Sequence, residues 1–223
     1  MIKVLTIERE YGSGGAAIAN KVAARLGWKL WDQLLTDEIC RWLKCDRGHV
    51  ERHEEQRDPL HYRLLKSFLR GSFEGSANAP RMNIADAEGI RGVAEKLIRK
   101  AAEEGNAVIV GRGSAYDLRD HPDAFHVFIY APFEEKVRRL QSQGKGQDEA
   151  IDLVQTVDIG RAAFIKQHFG VDFPCRQFFH LMINSAMGEE AVVQTILNGL
   201  AIVQESRTAS PNELSKDQRT LSR

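Results

Sequence analysis

Residues 9–19 read Arg9-Glu10-Tyr11-Gly12-Ser13-Gly14-Gly15-Ala16-Ala17-Ile18-Ala19. A β-branched run at residues 2–7 precedes this stretch, and apolar residues at helical spacing follow it as far as Leu26. The order predicts a β-strand, a glycine-rich turn and an amphipathic helix. Glycines allow a tight turn, and the first turn of the helix adds unpaired N–H groups and a positive dipole end. Such a turn is suited to binding an anion, most commonly phosphate.

The turn matches the phosphate-binding P-loop pattern G-x-x-x-x-G-K-[ST] only in part. With Gly14 as the second glycine, Arg9 takes the first glycine position, Gly15 the lysine position and Ala16 the hydroxyl position. The lysine normally reaches the β- and γ-phosphates, and the hydroxyl normally ligates Mg²⁺. A glycine-rich turn that binds no ligand is therefore an open alternative. The position directly after the first strand favours phosphate binding.

The composition is that of a globular protein with one domain. The chain has 223 residues, of which 43% are hydrophobic and 28% charged, and Lys+Arg and Asp+Glu both number 31. This balance argues against a nucleic-acid-binding surface, and no apolar run approaches the roughly 20 residues of a membrane span. We expect no signal peptide because the chain opens on a predicted strand. The 3 cysteines lack framework spacing, which favours a reducing, cytoplasmic environment.

Strands alternate with helices along the rest of the chain. Beyond the first helix, which ends at the C-cap Gly27, short strands are predicted at residues 28–32, 107–110, 125–130 and 180–184. Helices are predicted at residues 32–43, 60–69, 86–104, 133–143, 148–168 and 189–204. This alternation indicates an α/β fold in which helices cover both faces of a parallel sheet. Ligands of such sheets bind beyond the carboxyl ends of the strands. Both residues 12–15 (the first glycine turn) and residues 111–113 (the second glycine turn) lie at such ends.

On these motifs the chain resembles the cytidylate kinase-like family, a branch of the P-loop nucleoside monophosphate kinases. The most specific match is residues 6–15, TIEREYGSGG, followed in order by residues 108–113, residues 126–132, the Asp158-x-x-Arg161-Ala162 element and residues 183–185. The resemblance covers about residues 1–200 and implies a three-layer sandwich with a parallel sheet and a helical lid.

The same resemblance divides the chain into regions. It implies a P-loop nucleotide kinase-like domain at residues 1–205, with an acceptor-side helical region at about residues 33–95 and a lid at about residues 133–175. The remaining residues, 206–223, are polar and are expected to form a disordered tail.

The resemblance also implies roles for residues at the carboxyl edge of the sheet. Binding of the donor nucleotide falls to the first glycine turn and its flanks, namely Arg9, Gly12, Ser13, Gly14, Gly15, Ala16 and Asp32. Phosphoryl transfer falls to Arg112, Arg138, Arg139, Asp158 and Arg161. Arg112 would hold the acceptor phosphate, and the later arginines would surround the transferred group. These roles suit a reaction that depends on positioning and positive charge.

Structural roles are open for some of these residues. Asp32 stands at a strand end. Its carboxylate could contact the acceptor or Mg²⁺, and it could equally serve as the N-cap of the following helix. Asp158 and Arg161 are three residues apart on a predicted helix, so they can pair on one solvated face.

The resemblance implies ATP and Mg²⁺ as cofactors. It implies a nucleotide or other small phosphorylated acceptor as partner, with no nucleic acid and no membrane, and it leaves a homodimer open. The residues themselves predict no separate metal site. Cys45, His49 and His53 would share one face of a helix, but no fourth ligand accompanies them.

Two departures from the family pattern separate the functional alternatives. The family commonly has arginine and glutamate after its paired glycines, where this chain has Ala16 and Ala17, and related kinases commonly have aspartate in place of Gly113. One hypothesis is an ATP-dependent, cytidylate kinase-like phosphotransferase, which the retained arginines favour. The alternative is a catalytically degenerate nucleotide-binding protein that acts as a sensor or partner-binding module, which the missing lysine and hydroxyl favour. A kinase for another small acceptor is a third alternative.

Overall fold

The computed structural model describes residues 1–32, 34, 35, 38 and 87–208. Its elements are β1 Val4–Arg9, α1 Gly15–Leu26, β2 Lys29–Trp31, α2 Ala87–Glu104, β3 Ala107–Val110, α3 Ser114–Asp117, β4 Ala124–Tyr130, α4 Phe133–Ser142, α5 Gln147–Phe169, β5 Leu181–Asn184 and α6 Glu189–Thr208. Short 3₁₀ turns lie at Arg176–Phe178 and Ser185–Met187. Leu34, Leu35 and Glu38 are also helical. The rest of the predicted helices at residues 32–43 and 60–69 lies outside the described residues.

The five strands form one parallel sheet in the order β2-β3-β1-β4-β5. β1 lies at the centre, where Val4 pairs with Ala107 of β3 on one side and with Ala124 of β4 on the other. Every residue of β1 and β3 is buried, as expected when helices cover both faces of a parallel sheet. The chain leaves β1 for β2 and β3 on one side and then crosses to β4 on the other. The first glycine turn therefore lies at the point where the strand order reverses, the usual place for a ligand.

Two helical layers enclose the sheet. One hydrophobic cluster joins the sheet to α1 and α6 and includes Ile7, Ile18 and Ile196. The other joins the opposite face to α2 and α5 and includes Ile98 and Phe164. The fold is the three-layer α/β sandwich that the alternating pattern predicts. No helix in the described part of the chain is both long and apolar enough to cross a bilayer.

Helices α4 and α5 pack together beside the first glycine turn. Leu140, Ala150, Val154 and Val157 form a small core between them, and Tyr11, at the start of the turn, completes it. Residues within the region predicted as a lid are thus joined to the turn by an apolar contact.

Some element boundaries differ from the predicted ones. β1 continues to Arg9, two residues beyond the predicted strand, because Arg9 pairs with Ile129 of β4. The helix α3 is absent from the sequence prediction because four residues are too few to show a helical period. α6 includes residues 206–208 of the predicted tail, and Arg207 donates a hydrogen bond to the backbone carbonyl of Pro122. The remaining tail, residues 209–223, lies outside the described residues.

Candidate phosphate-binding site

The first glycine turn connects β1 to α1 through two left-handed glycines. Gly12 and Gly14 have φ angles of 75° and 76°, a conformation that other residues rarely adopt. Ser13 Oγ donates to the backbone carbonyl of Glu10 at 2.8 Å. Gly14 is the N-cap of α1, where no side chain supplies a capping hydrogen bond, and the half-buried Ala16 follows in the first helical turn. An uncapped helix N-terminus at the carboxyl edge of a sheet is suited to a phosphate group.

The side chain of Arg9 passes beneath this turn. A Cβ atom placed on Gly15 would lie 2.8 Å from both Cβ and Cγ of Arg9, too close for any side chain to be accommodated. The guanidinium reaches the end of β3, where a Cβ atom on Gly111 would lie 1.8 Å from Arg9 Nη1. Arg9 is only 3% exposed. The absence of a lysine at position 15 therefore has a structural reason, since a buried arginine fills the adjacent space.

Arg139 of α4 contacts the outer side of the turn. Its Nη1 donates to Ser185 Oγ at 2.8 Å and lies 3.4 Å from the carbonyl oxygen of Gly12, while its Nη2 donates to the Ser185 carbonyl at 2.9 Å. Ser185 Oγ in turn donates to the Ser13 carbonyl at 2.6 Å. A Cβ atom on Gly14 would meet Arg139 Nη1 at 3.6 Å. Arg139 thus brings a positive charge to the turn and links it to the end of β5.

The chain that enters the turn is held by four charged side chains, which we call the clasp: Glu10, Lys136, Asp158 and Arg161. Lys136 Nζ lies 2.9 Å from Glu10 Oε2 and 3.8 Å from Asp158 Oδ2. Asp158 Oδ1 accepts from the backbone N–H of Tyr11 at 2.9 Å and lies 3.0 Å from Arg161 Nη1. The same Nη1 donates to the last carbonyl of β1 at 2.8 Å. The predicted Asp158–Arg161 pair is confirmed, but it holds the turn instead of lying on a solvated face.

Burial acts on the pKa of one member of the clasp, Asp158. Desolvation raises the pKa of Asp158, and the Arg161 guanidinium is the strongest effect that opposes this rise. Lys136 and Arg161 are each 9% exposed. Two cations face two carboxylates, so the clasp positions the turn and adds little net charge for a ligand.

The second glycine turn already binds a carboxylate of the protein. Glu8 of β1 is 5% exposed, and its carboxyl group lies close to the backbone N–H groups of Gly113 and Ala115. Its Oε1 also lies 3.5 Å from Ser114 Oγ. Desolvation raises the pKa of Glu8, and the charge of the arginine that follows it is the main opposing effect. Glu8 thus takes the place at the start of α3 where an external anion would bind.

Arg112 and Asp32 form a separate group on the far side of β3. Arg112 has a positive φ of 60°, and its Nη1 donates to the backbone carbonyl of Asp32 at 3.1 Å. Both residues are buried. A Cβ atom on Gly113 would lie 2.7 Å from Cε2 of Phe169. The aspartate that is common at this position in related kinases therefore has no room here.

Arg138 is another predicted site residue that the structure does not bring to the first glycine turn. Its side chain is 74% exposed and pairs with Glu135 one helical turn earlier. Arg139, its neighbour, faces the turn because it lies three residues after the buried Lys136 on the same side of α4. Of these two adjacent arginines, only Arg139 is placed to contact a ligand at the first glycine turn.

Four residues that shape the site are missing from the sequence prediction: Glu8, Glu10, Lys136 and Ser185. Lys136 lies four residues before the buried Leu140 on α4, so helical spacing is a signal that indicates its buried side. Glu8 and Ser185 carry no comparable signal, since their partners are supplied by other strands and turns. Cys45, His49 and His53, considered from the sequence as possible metal ligands, lie outside the described residues.

The turn is suited to a nucleotide phosphate but lacks the usual ligands for its metal ion. P-loop kinases generally use ATP with Mg²⁺, which is held by a loop hydroxyl and an aspartate. Here Ala16 stands at the hydroxyl position, and the carboxyl groups of Glu8, Glu10 and Asp158 are engaged by protein groups. Within residues 1–32 and 87–208, no three His, Cys, Asp or Glu side chains are grouped to hold a metal ion.

Solved structures similar to this chain share its fold at low sequence identity. An uncharacterized protein from Eubacterium ventriosum ATCC 27560 has 20% identity and a TM-score of 0.62, with 90% of this chain and 99% of that chain covered. Shikimate kinase from Bacteroides thetaiotaomicron has 19% identity and a TM-score of 0.51, with 90% and 99% covered. Shikimate kinase from Acinetobacter baumannii, solved in complex with shikimate, has 14% identity and a TM-score of 0.52, with 94% and 97% covered. These likenesses establish the P-loop kinase fold.

A match to a protein-family model identifies the family of this chain, and the geometry of the first glycine turn is consistent with it. No curated protein matches the chain. The model of the Cytidylate kinase-like family matches residues 4–187, a range that contains the first glycine turn, the clasp, Arg112 and Arg139. The chain therefore belongs to the cytidylate kinase-like family.

Proposed function

We propose that this protein binds a nucleoside triphosphate at the first glycine turn and transfers its terminal phosphoryl group to a nucleotide or another small phosphorylated acceptor. The observation that carries the proposal is the uncapped N-terminus of α1 at the centre of the sheet edge, with Arg139 against its tip. Backbone N–H groups and a guanidinium are the donors that phosphate oxygens require. Membership of the cytidylate kinase-like family supports a nucleotide substrate.

The other residues divide into positioning and acceptor roles. The clasp holds the backbone of residues 9–11 through Asp158 and Arg161, which keeps the N–H groups preorganised for the phosphates. Arg112 lies beside Asp32 beyond β3, where its charge suits the acceptor phosphate. In this proposal Arg161 acts through the turn, and Arg112 and Arg139 contact the substrates.

The test combines binding with turnover. We expect ATP at about 100 times its Kd to stabilise the fold by roughly 2.7 kcal/mol and a coupled assay to detect ADP release with CMP or dCMP as acceptor. Arg139→Gln should weaken ATP binding because it removes the guanidinium at the tip of the turn. Arg25→Gln is the matched control, since Arg25 lies at the opposite end of α1 and pairs with Glu190. The absence of a thermal shift with any nucleotide or with pyrophosphate would contradict the proposal.

A nucleotide-binding sensor is the second candidate, and the missing lysine and hydroxyl favour it. A sensor would bind ATP without releasing ADP. Arg161→Ala adds a second readout, because a group acting on the transition state changes kcat by roughly 10³–10⁵, whereas a residue that positions the turn lowers affinity and rate together. We expect the second pattern, with incomplete recovery in Arg161→Lys, since lysine lacks the planar guanidinium that places Nη1 within reach of both the carbonyl of Arg9 and Asp158.

A further inference from the structure

The Arg9 side chain passes beside the first turn of α1, from which P-loop kinases supply a hydroxyl ligand to their metal ion. In those enzymes Mg²⁺ is held between the first turn of the helix and an acidic residue, and it neutralises the β- and γ-phosphates. Here the Arg9 side chain extends from beneath Gly15, at the first turn of α1, to Gly111, at the end of β3. The guanidinium is buried in this position.

The groups around Arg9 suit a guanidinium better than a divalent cation. Mg²⁺ requires near-octahedral oxygen ligands at about 2.1 Å, and the side chain of Ala16 offers none. The Glu8 carboxyl group lies against the second glycine turn, 3.5 Å from Ser114 Oγ, and Glu10 and Asp158 belong to the clasp. A metal ion would have to remove these carboxylates from their partners and would also be repelled by the charge of Arg9.

We infer that the guanidinium of Arg9 replaces both the P-loop lysine and the metal ion, so that the first glycine turn binds phosphate groups without a divalent cation. A guanidinium stays charged at physiological pH and presents forked donors that match two phosphate oxygens. Two glycines make room for it, Gly15 along its stem and Gly111 at its tip. Arg161 fixes its backbone by donating to the Arg9 carbonyl. The inference deepens the proposed function and rests on it, since both concern the same turn.

The experiment is isothermal titration of the full-length chain with inorganic pyrophosphate and with ATP, once in EDTA and once in millimolar Mg²⁺. We expect the Kd values in the two buffers to agree within about threefold. Arg9→Gln should weaken pyrophosphate binding in EDTA at least about tenfold, because a charged donor is lost. Arg9→Lys should recover only part of the affinity, since lysine lacks the fork. Arg25→Gln, at the far end of α1, should bind like the wild type.

Each outcome has one meaning. Binding that is at least about tenfold tighter in Mg²⁺ overturns the inference and leaves the proposed function standing. No binding in either buffer rejects the proposed function itself. Equal binding by the wild type and a folded Arg9→Gln variant also overturns the inference.

Because Arg9 is buried, its variants are first compared with the wild type by circular dichroism and melting temperature. If they do not fold, Ala16→Ser in the wild-type background gives a second test, since it restores the missing loop hydroxyl at a half-buried position. We expect it to stay insensitive to Mg²⁺. A gain of about tenfold or more with Mg²⁺ would show a metal site at the turn and overturn the inference.

Discussion

The two glycine turns of this protein share a sequence pattern and a place in the fold but differ in what their N–H groups contact. Each follows a strand of the sheet and enters a helix through a left-handed glycine, Gly14 in one and Gly113 in the other. At the second turn, the buried carboxyl group of Glu8 lies close to the N–H groups at the start of α3. At the first turn, no side chain in the described part of the chain accepts a hydrogen bond from the first N–H groups of α1. Glycine spacing thus identifies a turn, and the residue that a neighbouring strand brings to it decides whether a ligand can bind.

The two turns also differ in the side chain that packs behind each of them. Phe169 lies behind Gly113, and its ring would be 2.7 Å from a Cβ atom placed there. Arg9 lies behind Gly15, and its guanidinium continues toward Gly111. An apolar ring closes the second turn, whereas a charged side chain supports the first. The second turn therefore contributes to stability, and the first is available for binding.

The largest loss of stability is expected for a substitution at the second turn, where Phe169 packs against Gly113. Gly113→Ala combines a φ of 75° with a contact of 2.7 Å to Phe169 Cε2, and we expect it to lower the free energy of unfolding by about 3 kcal/mol. Gly144→Ala is the matched control, because Gly144 has a φ of 91° but no atom within 4 Å of the added Cβ. Strain alone should cost the control about 1 kcal/mol. Urea denaturation measures both, and equal losses would show that Phe169 does not pack as described.

An intermediate effect is expected at the first turn, where two adjacent arginines can be compared. Arg139→Gln removes charged hydrogen bonds to Ser185 and should cost about 2 kcal/mol of stability. Arg138→Gln should change stability by less than about 0.5 kcal/mol, because Arg138 is exposed and pairs only within α4 in the described contacts. Denaturation of both variants gives the difference. A loss in Arg138→Gln as large as that in Arg139→Gln would contradict the assigned sides of α4.

The smallest effect is a change in the pH dependence of stability at Glu8. Burial raises the pKa of Glu8 in the folded state above its ordinary value of 4.5, so the folded state holds this proton more tightly than the unfolded state. The contribution of Glu8 to the free energy of unfolding is fully present below about pH 4.5, and it is lost as the pH rises through the pKa that Glu8 has in the folded state. Glu8→Gln stays neutral and keeps an acceptor for the N–H groups of the second turn. Its stability relative to the wild type should therefore rise with pH, by up to about 1.4 kcal/mol per pH unit.

The measurement for Glu8 is a pair of denaturation series from pH 4 to pH 8. Other shifted groups titrate in this window, among them Asp117, whose pKa burial raises to about 6, and His126, whose pKa burial lowers to about 4. They are present in both proteins and largely cancel in the difference. A difference that does not change with pH would show that Glu8 is charged throughout, as an anion held by the second turn.

The elements of the fold were predictable because they depend on neighbouring residues. The run Ala107–Val110 is apolar throughout, and it forms a fully buried strand. Gly27 was predicted as a C-cap, and it has a left-handed φ of 65°. The spacing around Ile18 and Val22 predicted the buried face of α1. Periodicity and glycine conformations are local properties, so a single sequence displays them.

The site was predictable only where a residue and its partner lie close in sequence, as for Asp158 and Arg161. Helical spacing places Lys136 on the buried side of α4, but its partners Glu10 and Asp158 lie far from it in the sequence, so its role in the site was not predicted. Asp158 reaches the N–H of Tyr11 across 147 residues, and Ser185 reaches the carbonyl of Ser13 across 172. Contacts between residues so far apart leave no periodic signal in one sequence.

The sequence by itself determined that a strand, a glycine turn and a helix follow one another at the first turn, and that a second glycine turn follows another strand of the same parallel sheet. It also determined that the first of these turns lacks the lysine and the hydroxyl of a P-loop. Only the tertiary structure decided that Glu8 satisfies the second turn and that Arg9 supports the first. The physical reason is that successive residues of a strand point to opposite faces of the sheet, so the parallel pairing around β1 sends the adjacent side chains Glu8 and Arg9 to different neighbours.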